Sequence, residues 1–229
     1  MKKAIIIALS MICFSVCAFS KNGFEDRAIV TNIMNPTGYT LNKGEFLVGL
    51  GNIGFGITDK IQVGTNVLLY LLQDYNANLK ISFIKTGKKA FAVGFKVHSF
   101  DLEVDEEESG FSSFSPYATF STKVSKDTLL HMGGQYSHFS GPEEIEDAMA
   151  IATSRGTSAY LGIEHSYSNK TKFLAETGYD FTFEGIRLGG AVLWGWKNFR
   201  LKLGVNYFKP KDTDGFIFPV VSLWWRFNG

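Results

Sequence analysis

The chain has 229 residues, a formal net charge of +1, 45% hydrophobic residues and 15% aromatic residues. This apolar content suits one folded domain and excludes an intrinsically disordered chain. The balanced charge excludes the strongly basic surface that binds nucleic acid phosphates, so we expect no nucleic acid partner.

The first 20 residues follow the pattern of a secretory signal peptide. Two lysines come after Met1, an apolar stretch runs from Ala4 to Phe19, and Ala18 and Ser20 are small residues where a signal peptidase needs them. The apolar stretch of roughly 16 residues is short for a transmembrane helix, which needs about 20. We therefore predict export and cleavage after Ser20.

Both cysteines of the sequence, Cys13 and Cys17, lie inside this predicted signal peptide. A chain cleaved after Ser20 therefore has no disulfide and no cysteine-ligated metal. A lipoprotein signal places a small residue before the modified cysteine, but Val16 precedes Cys17. We predict no lipid anchor.

From about Gly44 onward, apolar and polar residues alternate with a period of two. Between Phe199 and Tyr207 the odd positions are apolar or aromatic, while Arg200 and Lys202 stand at even positions. This period places successive side chains on opposite faces of a β-strand. About eleven such segments are clear, and the count becomes twelve if residues 46–51 and 53–58 form separate strands. Ten is the alternative even number, and an even number is expected when both ends of a barrel lie on one side of the membrane.

The connections between these segments alternate between short and long. Short ones lie near residues 58–60, 86–88, 125–126, 168–170 and 197–198, and long ones at residues 101–112, 141–156 and 209–215. Short periplasmic turns and long outer loops are typical of a transmembrane barrel.

Period two alone does not decide which face of a barrel lies inside. Aromatic residues end the apolar stripes, as expected for girdles at the two membrane interfaces; these are Tyr70, Tyr136, Tyr167, Trp194, Trp196, Phe199, Tyr207 and Trp225. The opposite face carries too many charges for a dry core unless nearly all are paired.

We predict an all-β fold: a transmembrane antiparallel up-and-down β-barrel over residues 44–229. Residues 21–43 before it form either a periplasmic segment or a plug.

The C-terminal strand places Val221, Leu223, Trp225 and Phe227 on one face. It resembles the last strand of bacterial outer-membrane barrels, which the barrel assembly machinery recognises, except that Asn228-Gly229 follows Phe227. The stretch from Gly38 to Asn66 also resembles the opening of small porin-like barrels of unassigned function. The resemblance implies a Gram-negative outer membrane, with its lipid, its lipopolysaccharide and the assembly machinery as partners.

The polar face supplies the candidate pore-lining residues, in which cations outnumber carboxylates. They are Lys80, Lys96, His98, His131, Glu164, Lys172, Glu176, Asp180, Arg187, Arg200, Lys202 and Arg226. Excess positive charge in a narrow wet bore favours anions, and small barrels of about twelve strands that pass acidic sugars are similar in this respect. We predict a narrow passive channel for small solutes with weak anion preference. A non-conducting structural barrel, its bore filled by side chains, is the alternative.

Two cross-strand contacts are predicted on the inner face from the turns that precede them. If Thr182 stands opposite Gly185, Asp180 falls opposite Arg187 and the two form an ion pair. If the turn at residues 125–126 closes in register, His131 faces Thr119.

A lipid-modifying enzyme is the second alternative function. The run from Glu164 to Asn169 resembles lipid A deacylases, which use a histidine and a serine near a strand end. On one strand, however, His165 and Ser166 point to opposite faces, so we predict no catalytic residue. No histidine spacing is typical of a metal site, and we predict neither metal nor cofactor. The acidic runs at residues 101–108 and 143–147 are either solvated loops or sites that share divalent cations with lipopolysaccharide.

Overall fold

The computed structural model describes residues 28–104, 107–140, 157–211 and 213–227, with the backbone alone for residues 101–104, 107–111 and 139. The predicted signal peptide at residues 1–20, the predicted loop at 141–156 and Asn228-Gly229 lie outside the described residues. Within the described ranges, no helix has the length and apolar character needed to cross a bilayer.

The described residues form thirteen β-strands and a single 3₁₀ turn at Leu69–Leu72. The strands are Phe46–Gly49 (β1), Asn52–Gly56 (β2), Ile61–Asn66 (β3), Asp74–Lys85 (β4), Lys89–Val104 (β5), Glu107–Lys123 (β6), Thr128–Gln135 (β7), His138–Ser140 (β8), Ser158–Ser166 (β9), Thr171–Asp180 (β10), Gly185–Trp196 (β11), Phe199–Lys209 (β12) and Phe216–Phe227 (β13). Both β7 and β8 pair with β6, so together they form one strand of the wall.

The sheet closes on itself, because each strand pairs antiparallel with its neighbours in the chain and β13 pairs with β1. Phe46 stands opposite Phe227 at this junction, and the pairing of β5 with β6 completes the circle. The result is a closed antiparallel barrel of twelve strands. The predicted fold class is confirmed, with twelve strands rather than ten.

The two faces of the wall differ in polarity as the alternation predicts. On β12, Arg200 and Lys202 are each 3% exposed, whereas Leu203 is 40% and Val205 is 56% exposed. On the same outer face as Leu203, the Phe199 ring stacks on Trp196 and contacts Trp225 in a tilted arrangement. Large apolar side chains thus cover the outside of a barrel whose charges are inside, which suits lipid hydrocarbon and not water.

The short turns lie where they are predicted, but the predicted long loop at residues 101–112 is wrong. There β5 continues to Val104 and β6 begins at Glu107, with Asp101 opposite Gly110. Leu102 and Val104 alternate with the acidic residues, so the period of two continues through the charged run. Paired backbones satisfy each other's hydrogen bonds whatever the side chains, and this hairpin therefore needs no apolar face.

Residues 28–43 lie inside the barrel, and we call them the inner segment. The chain turns back at Asn32, whose backbone N–H donates to the carbonyl of Asn35 at 2.9 Å, and Thr31 bridges Pro36. Ile29 and Ile33 pack in a buried cluster against inward-facing apolar residues of β10, β11 and β13. The buried core therefore sits in the bore, between the inner segment and the wall.

Candidate functional site: the interior of the barrel

All twelve predicted pore-lining residues belong to the polar inner face, and the inner segment contacts several of them. The Lys80 ammonium donates to three backbone carbonyls, of Val30 at 2.8 Å, Thr37 at 3.1 Å and Tyr39 at 2.9 Å. An ammonium has three donors, so the inner segment satisfies all of them. This arrangement explains how a lysine that is 3% exposed stays inside the barrel.

Residues 32–35 form the tip of the inner segment. Glu176 and Lys202 hold this tip from two sides, and we call them the tip clamp. The Glu176 carboxylate accepts the backbone N–H groups of Ile33, Met34 and Asn35 at 3.2 to 3.4 Å, and the Asn35 amide at 2.8 Å. The Lys202 ammonium donates to the carbonyls of Asn32 at 2.6 Å and Ile33 at 2.9 Å. The tip thus satisfies a buried carboxylate with three backbone N–H groups and the Asn35 amide, and a buried ammonium with two backbone carbonyls.

The base of the inner segment is fixed at the mouth of the barrel that carries the short turns. Arg226 forms a bidentate ion pair with Glu45, at 2.7 and 2.9 Å, and donates to the carbonyl of Ala28 at 2.9 Å. Lys85 donates to the Asn42 side chain at 2.9 Å and to the carbonyl of Asp59 at 2.8 Å. Both ends of the inner segment therefore lie at one mouth, with the tip pointing into the bore.

The predicted ion pair between Asp180 and Arg187 is confirmed, at 2.9 Å, but the predicted register is wrong. Asp180 stands opposite Gly185 and Arg187 opposite Gly178, so the pair is diagonal. The difference arises in the turn, which has four residues and not two. The Asp180 carboxylate accepts the backbone N–H of Thr182 at 3.0 Å and stabilises this wider turn.

His131 lies in a buried cluster that the sequence did not predict. It faces Ser121, not Thr119 as predicted, and its Nδ1 is 2.8 Å from the Ser121 hydroxyl. Its Nε2 is 3.4 Å from the carboxylate of Glu164, which also pairs with Lys172. Glu164 is far from His131 in the chain and comes close only because β7 pairs with β9.

The order serine, histidine, glutamate is typical of nucleophilic catalysis, but the burial of this cluster does not suit it. Ser121 and His131 are 0% exposed. The backbone N–H of Gly38 in the inner segment donates to the Ser121 hydroxyl at 2.8 Å. While the inner segment is in place, a substrate cannot reach this hydroxyl, and the cluster contacts the inner segment through Gly38.

His165 and Ser166, in the run that resembles lipid A deacylases, are not a nucleophile and base pair. His165 is exposed on the outer face, where its Nδ1 lies 3.0 Å from the Thr128 hydroxyl. Ser166 follows it on β9 and points to the opposite face. Among the described residues, no group of three or more histidines, cysteines and carboxylates could hold a metal ion.

A cavity of about 360 Å³, which we call the inner cavity, lies beside the inner segment, against the wall that runs from β12 through β13 and β1 to β6. Five cations line it: Lys80, Lys96, Arg200, Lys202 and Arg226. No carboxylate is among the described residues that line it. The Lys202 ammonium lies 5.8 Å from the centre of the Trp224 ring, and that of Lys96 5.9 Å from the centre of the Tyr117 ring.

A second cavity, of about 870 Å³, opens at the mouth with the short turns and also has mostly cationic charge. Lys85, Lys123, Lys126 and Lys172 line it. Arg226 borders both cavities. The ion pair of Arg226 with Glu45 therefore stands between the mouth and the inner cavity.

No protein-family model matches this sequence, and a comparison with curated proteins found no relative. Solved structures are similar. A structure described as "KdgM porin in complex with disordered oligogalacturonate" has a TM-score of 0.52 and 11% identity, over 80% of this chain and 97% of that chain. A second KdgM porin structure has a TM-score of 0.37 and 14% identity over the same shares. The outer-membrane expressed OmpT of Vibrio cholerae has a TM-score of 0.45 and 10% identity, over 77% and 64%.

At these identities the likeness concerns the fold. The first of these porins matches along nearly its whole length, and the closed barrel, the apolar outside and the charged inside agree with it. The chain therefore has the fold of a porin-like outer-membrane β-barrel.

Proposed function

We propose that this protein is a narrow passive channel of the outer membrane with a preference for small anionic solutes. The observation that supports it is the inner cavity, with five lining cations and no carboxylate among the described lining residues. Fixed positive charge between low-dielectric walls raises the local concentration of anions and repels cations. Twelve strands leave a narrow interior, which suits a channel for small solutes only.

Acidic sugars are the solute class that we propose. The cavity of about 360 Å³ has the size of a site for a small molecule. Trp224 and Tyr117 add aromatic faces, against which the apolar face of a sugar ring packs, beside ammonium groups that bind a carboxylate. The structurally similar KdgM porin is described with an oligogalacturonate, which is a chain of acidic sugars.

Planar bilayer recordings in a KCl gradient test the channel. We expect discrete conductance steps and a reversal potential that indicates anion preference. Lys96→Gln removes one cation of the inner cavity and should move the reversal potential toward zero. Lys60→Gln, in an exposed short turn, is the matched control and should leave it unchanged.

A non-conducting structural barrel is the second candidate, because the inner segment occupies much of the bore. It predicts electrical silence from protein that is folded, as judged by heat-modifiable migration in gels. A lipid-modifying enzyme predicts altered lipid A or phospholipid profiles on expression, which His165→Ala abolishes. Unchanged profiles in the wild type remove that candidate.

We also propose that the chain reaches the outer membrane by the signal peptide at residues 1–20. Val221, Leu223, Trp225 and Phe227 lie on the outer face of β13, where the assembly machinery would meet them during closure. Contact with lipopolysaccharide stays a prediction. Fractionation with N-terminal sequencing checks the first point: we expect outer-membrane protein that begins at Lys21.

A further inference from the structure

The cations that hold the inner segment are the same cations that line the inner cavity. Lys80 and Lys202 both border this cavity, and both donate to backbone carbonyls of the inner segment. Ile29, Val30 and Ile33 of the inner segment border it too. An anion inside the cavity would therefore touch the ammonium groups that fix the segment.

The inner segment offers these ammonium groups only neutral acceptors. Lys80 binds three carbonyls and Lys202 binds two. A carbonyl offers an ammonium only a dipole, whereas a carboxylate also brings a full opposite charge, whose attraction is strong where water is largely excluded. A carboxylated solute can therefore compete with the carbonyls of the segment for both lysines.

The fold also gives the inner segment a way out of the bore. Ala28 and Asn42 are both held at the mouth with the short turns, and the tip points inward. A hairpin fixed at one mouth can withdraw through that mouth without breaking any strand pairing in the wall. The cavity of about 870 Å³ at this mouth lies on that path, bordered by Ala28 and Asn42 of the segment.

We propose that the inner segment is a gate that anionic solutes release by competing with its carbonyls for Lys80 and Lys202. This inference rests on the proposed channel. The anion that passes through the channel would also be the ligand that opens it. Once the segment withdraws, Lys80, Lys202 and Glu176 face the bore and bind water or solute.

A cysteine pair can report whether the segment is in place. A Cβ atom at Gly162 on β9 would lie 3.2 Å from Cγ of Asn32 in the tip. The Sγ of a cysteine at position 32 can take the place of that Cγ, which suits the geometry of a disulfide. The only native cysteines lie in the predicted signal peptide, so Asn32→Cys/Gly162→Cys introduces the only thiols of the cleaved chain.

The first measurement is the rate of disulfide formation in the reduced double variant, with glucuronate or uncharged glucose present. We expect glucuronate to slow cross-linking by about fivefold, the lower end of typical couplings between two ligands, and glucose to leave it unchanged. Gly190→Cys/Val205→Cys, a directly opposed pair on the outer face, controls for effects on the oxidant. Equal rates in the two sugars would overturn the gate.

The second measurement separates the gate from the channel. In planar bilayers, we expect glucuronate to open the reduced double variant and not the oxidised one. Equal currents in both forms reject the gate and leave the channel. Silence of both forms, together with slowed cross-linking, rejects the channel and overturns the gate, because the anion then displaces a segment that closes no conducting path. If this pair prevents folding, Ile33→Cys/Gly189→Cys replaces it, because a Cβ at Gly189 would lie 3.4 Å from Cγ2 of Ile33.

Discussion

Lys80 shows how a single charged residue adds polar contacts to a segment that Ile29 and Ile33 already pack against the wall. Lys80→Met removes the donor to the carbonyls of Val30, Thr37 and Tyr39 and leaves them buried without that partner. The Val30 carbonyl keeps the backbone N–H of Thr37, and each buried acceptor left unsatisfied costs about 1–3 kcal/mol. We expect faster limited proteolysis of the inner segment, measured by mass spectrometry. Lys60→Met, in an exposed turn, is the control, and equal cleavage of the two variants would contradict this role of Lys80.

Glu176 is the acidic half of the tip clamp, and its charge can be removed without changing its size. Glu176→Gln weakens four hydrogen bonds from the tip, and hydrogen bonds to a charged group contribute about 1.5–3 kcal/mol each. We expect a higher open probability in single-channel recordings. Unchanged gating would show that the clamp does not hold the segment.

The matched control for this substitution is Glu184→Gln. Glu184 pairs with Lys211 on the exposed rim at the other mouth, where the hydrogen bond to Glu184 raises the pKa of Lys211. This pair lies outside the bore. We therefore expect Glu184→Gln to conduct like the wild type.

Asp180 and Arg187 form a buried ion pair whose coupling can be measured. A double-mutant cycle of Asp180→Asn and Arg187→Gln should give a coupling free energy of about 1 kcal/mol or more in unfolding by urea from liposomes. Additive effects of the two substitutions would mean that the diagonal contact contributes nothing to stability.

At the scale of strands, β6, β7 and β9 approach closely where one residue has no side chain. A Cβ atom at Gly133 would lie 2.5 Å from the carbonyl oxygen of Ala118 and against the Tyr160 hydroxyl, which donates to Pro36 of the inner segment. Overpacking of this kind costs about 1–3 kcal/mol. We expect Gly133→Ala to lower the temperature at which heat-modified migration appears. Gly190→Ala, where a Cβ meets no atom within 4 Å, should leave that temperature unchanged, and equal shifts would contradict the packing argument.

The strands could be predicted because most wall residues follow one rule, apolar side chains outward and polar ones inward, although Leu193 and its neighbours that pack on the inner segment depart from it. Leu203 and Lys202 differ in polarity because they face lipid and bore, and this contrast repeats along the chain. Turn lengths obey no such rule, since four residues can connect two strands as well as two can. The residues that stand directly opposite Asp180 and His131 therefore differ by two positions from the prediction.

The contacts of the inner segment could not be predicted from sequence patterns. Its main hydrogen bonds to the wall involve backbone carbonyls and N–H groups, such as those that bind Lys80 and Glu176. Nearly every residue has these groups, so the bonds leave no pattern in the sequence. The inward charges were identified as pore-lining candidates by their alternation with apolar residues. Their partners inside the bore became visible only in three dimensions.

At the scale of the whole molecule, the net charge is only +1, yet charged and apolar side chains lie on opposite faces of the barrel wall. Apolar side chains cover the outside of the barrel, and buried cations and carboxylates pair within it with the inner segment, with carbonyls of a short turn or with one another. Stability therefore depends on the surrounding hydrocarbon. The channel, the gate and the resemblance to porins all require this orientation.

A nitroxide scan of β12 in lipid vesicles tests this orientation most directly. Labels would be placed one at a time from Leu201 to Asn206, and their collision rates with oxygen and with a water-soluble nickel complex measured. We expect maxima for oxygen, with low access to nickel, at Leu201, Leu203 and Val205, and little access to either at Lys202. High nickel access at Leu203 and Val205, or oxygen maxima at the even positions, would contradict a barrel with its apolar face in the membrane.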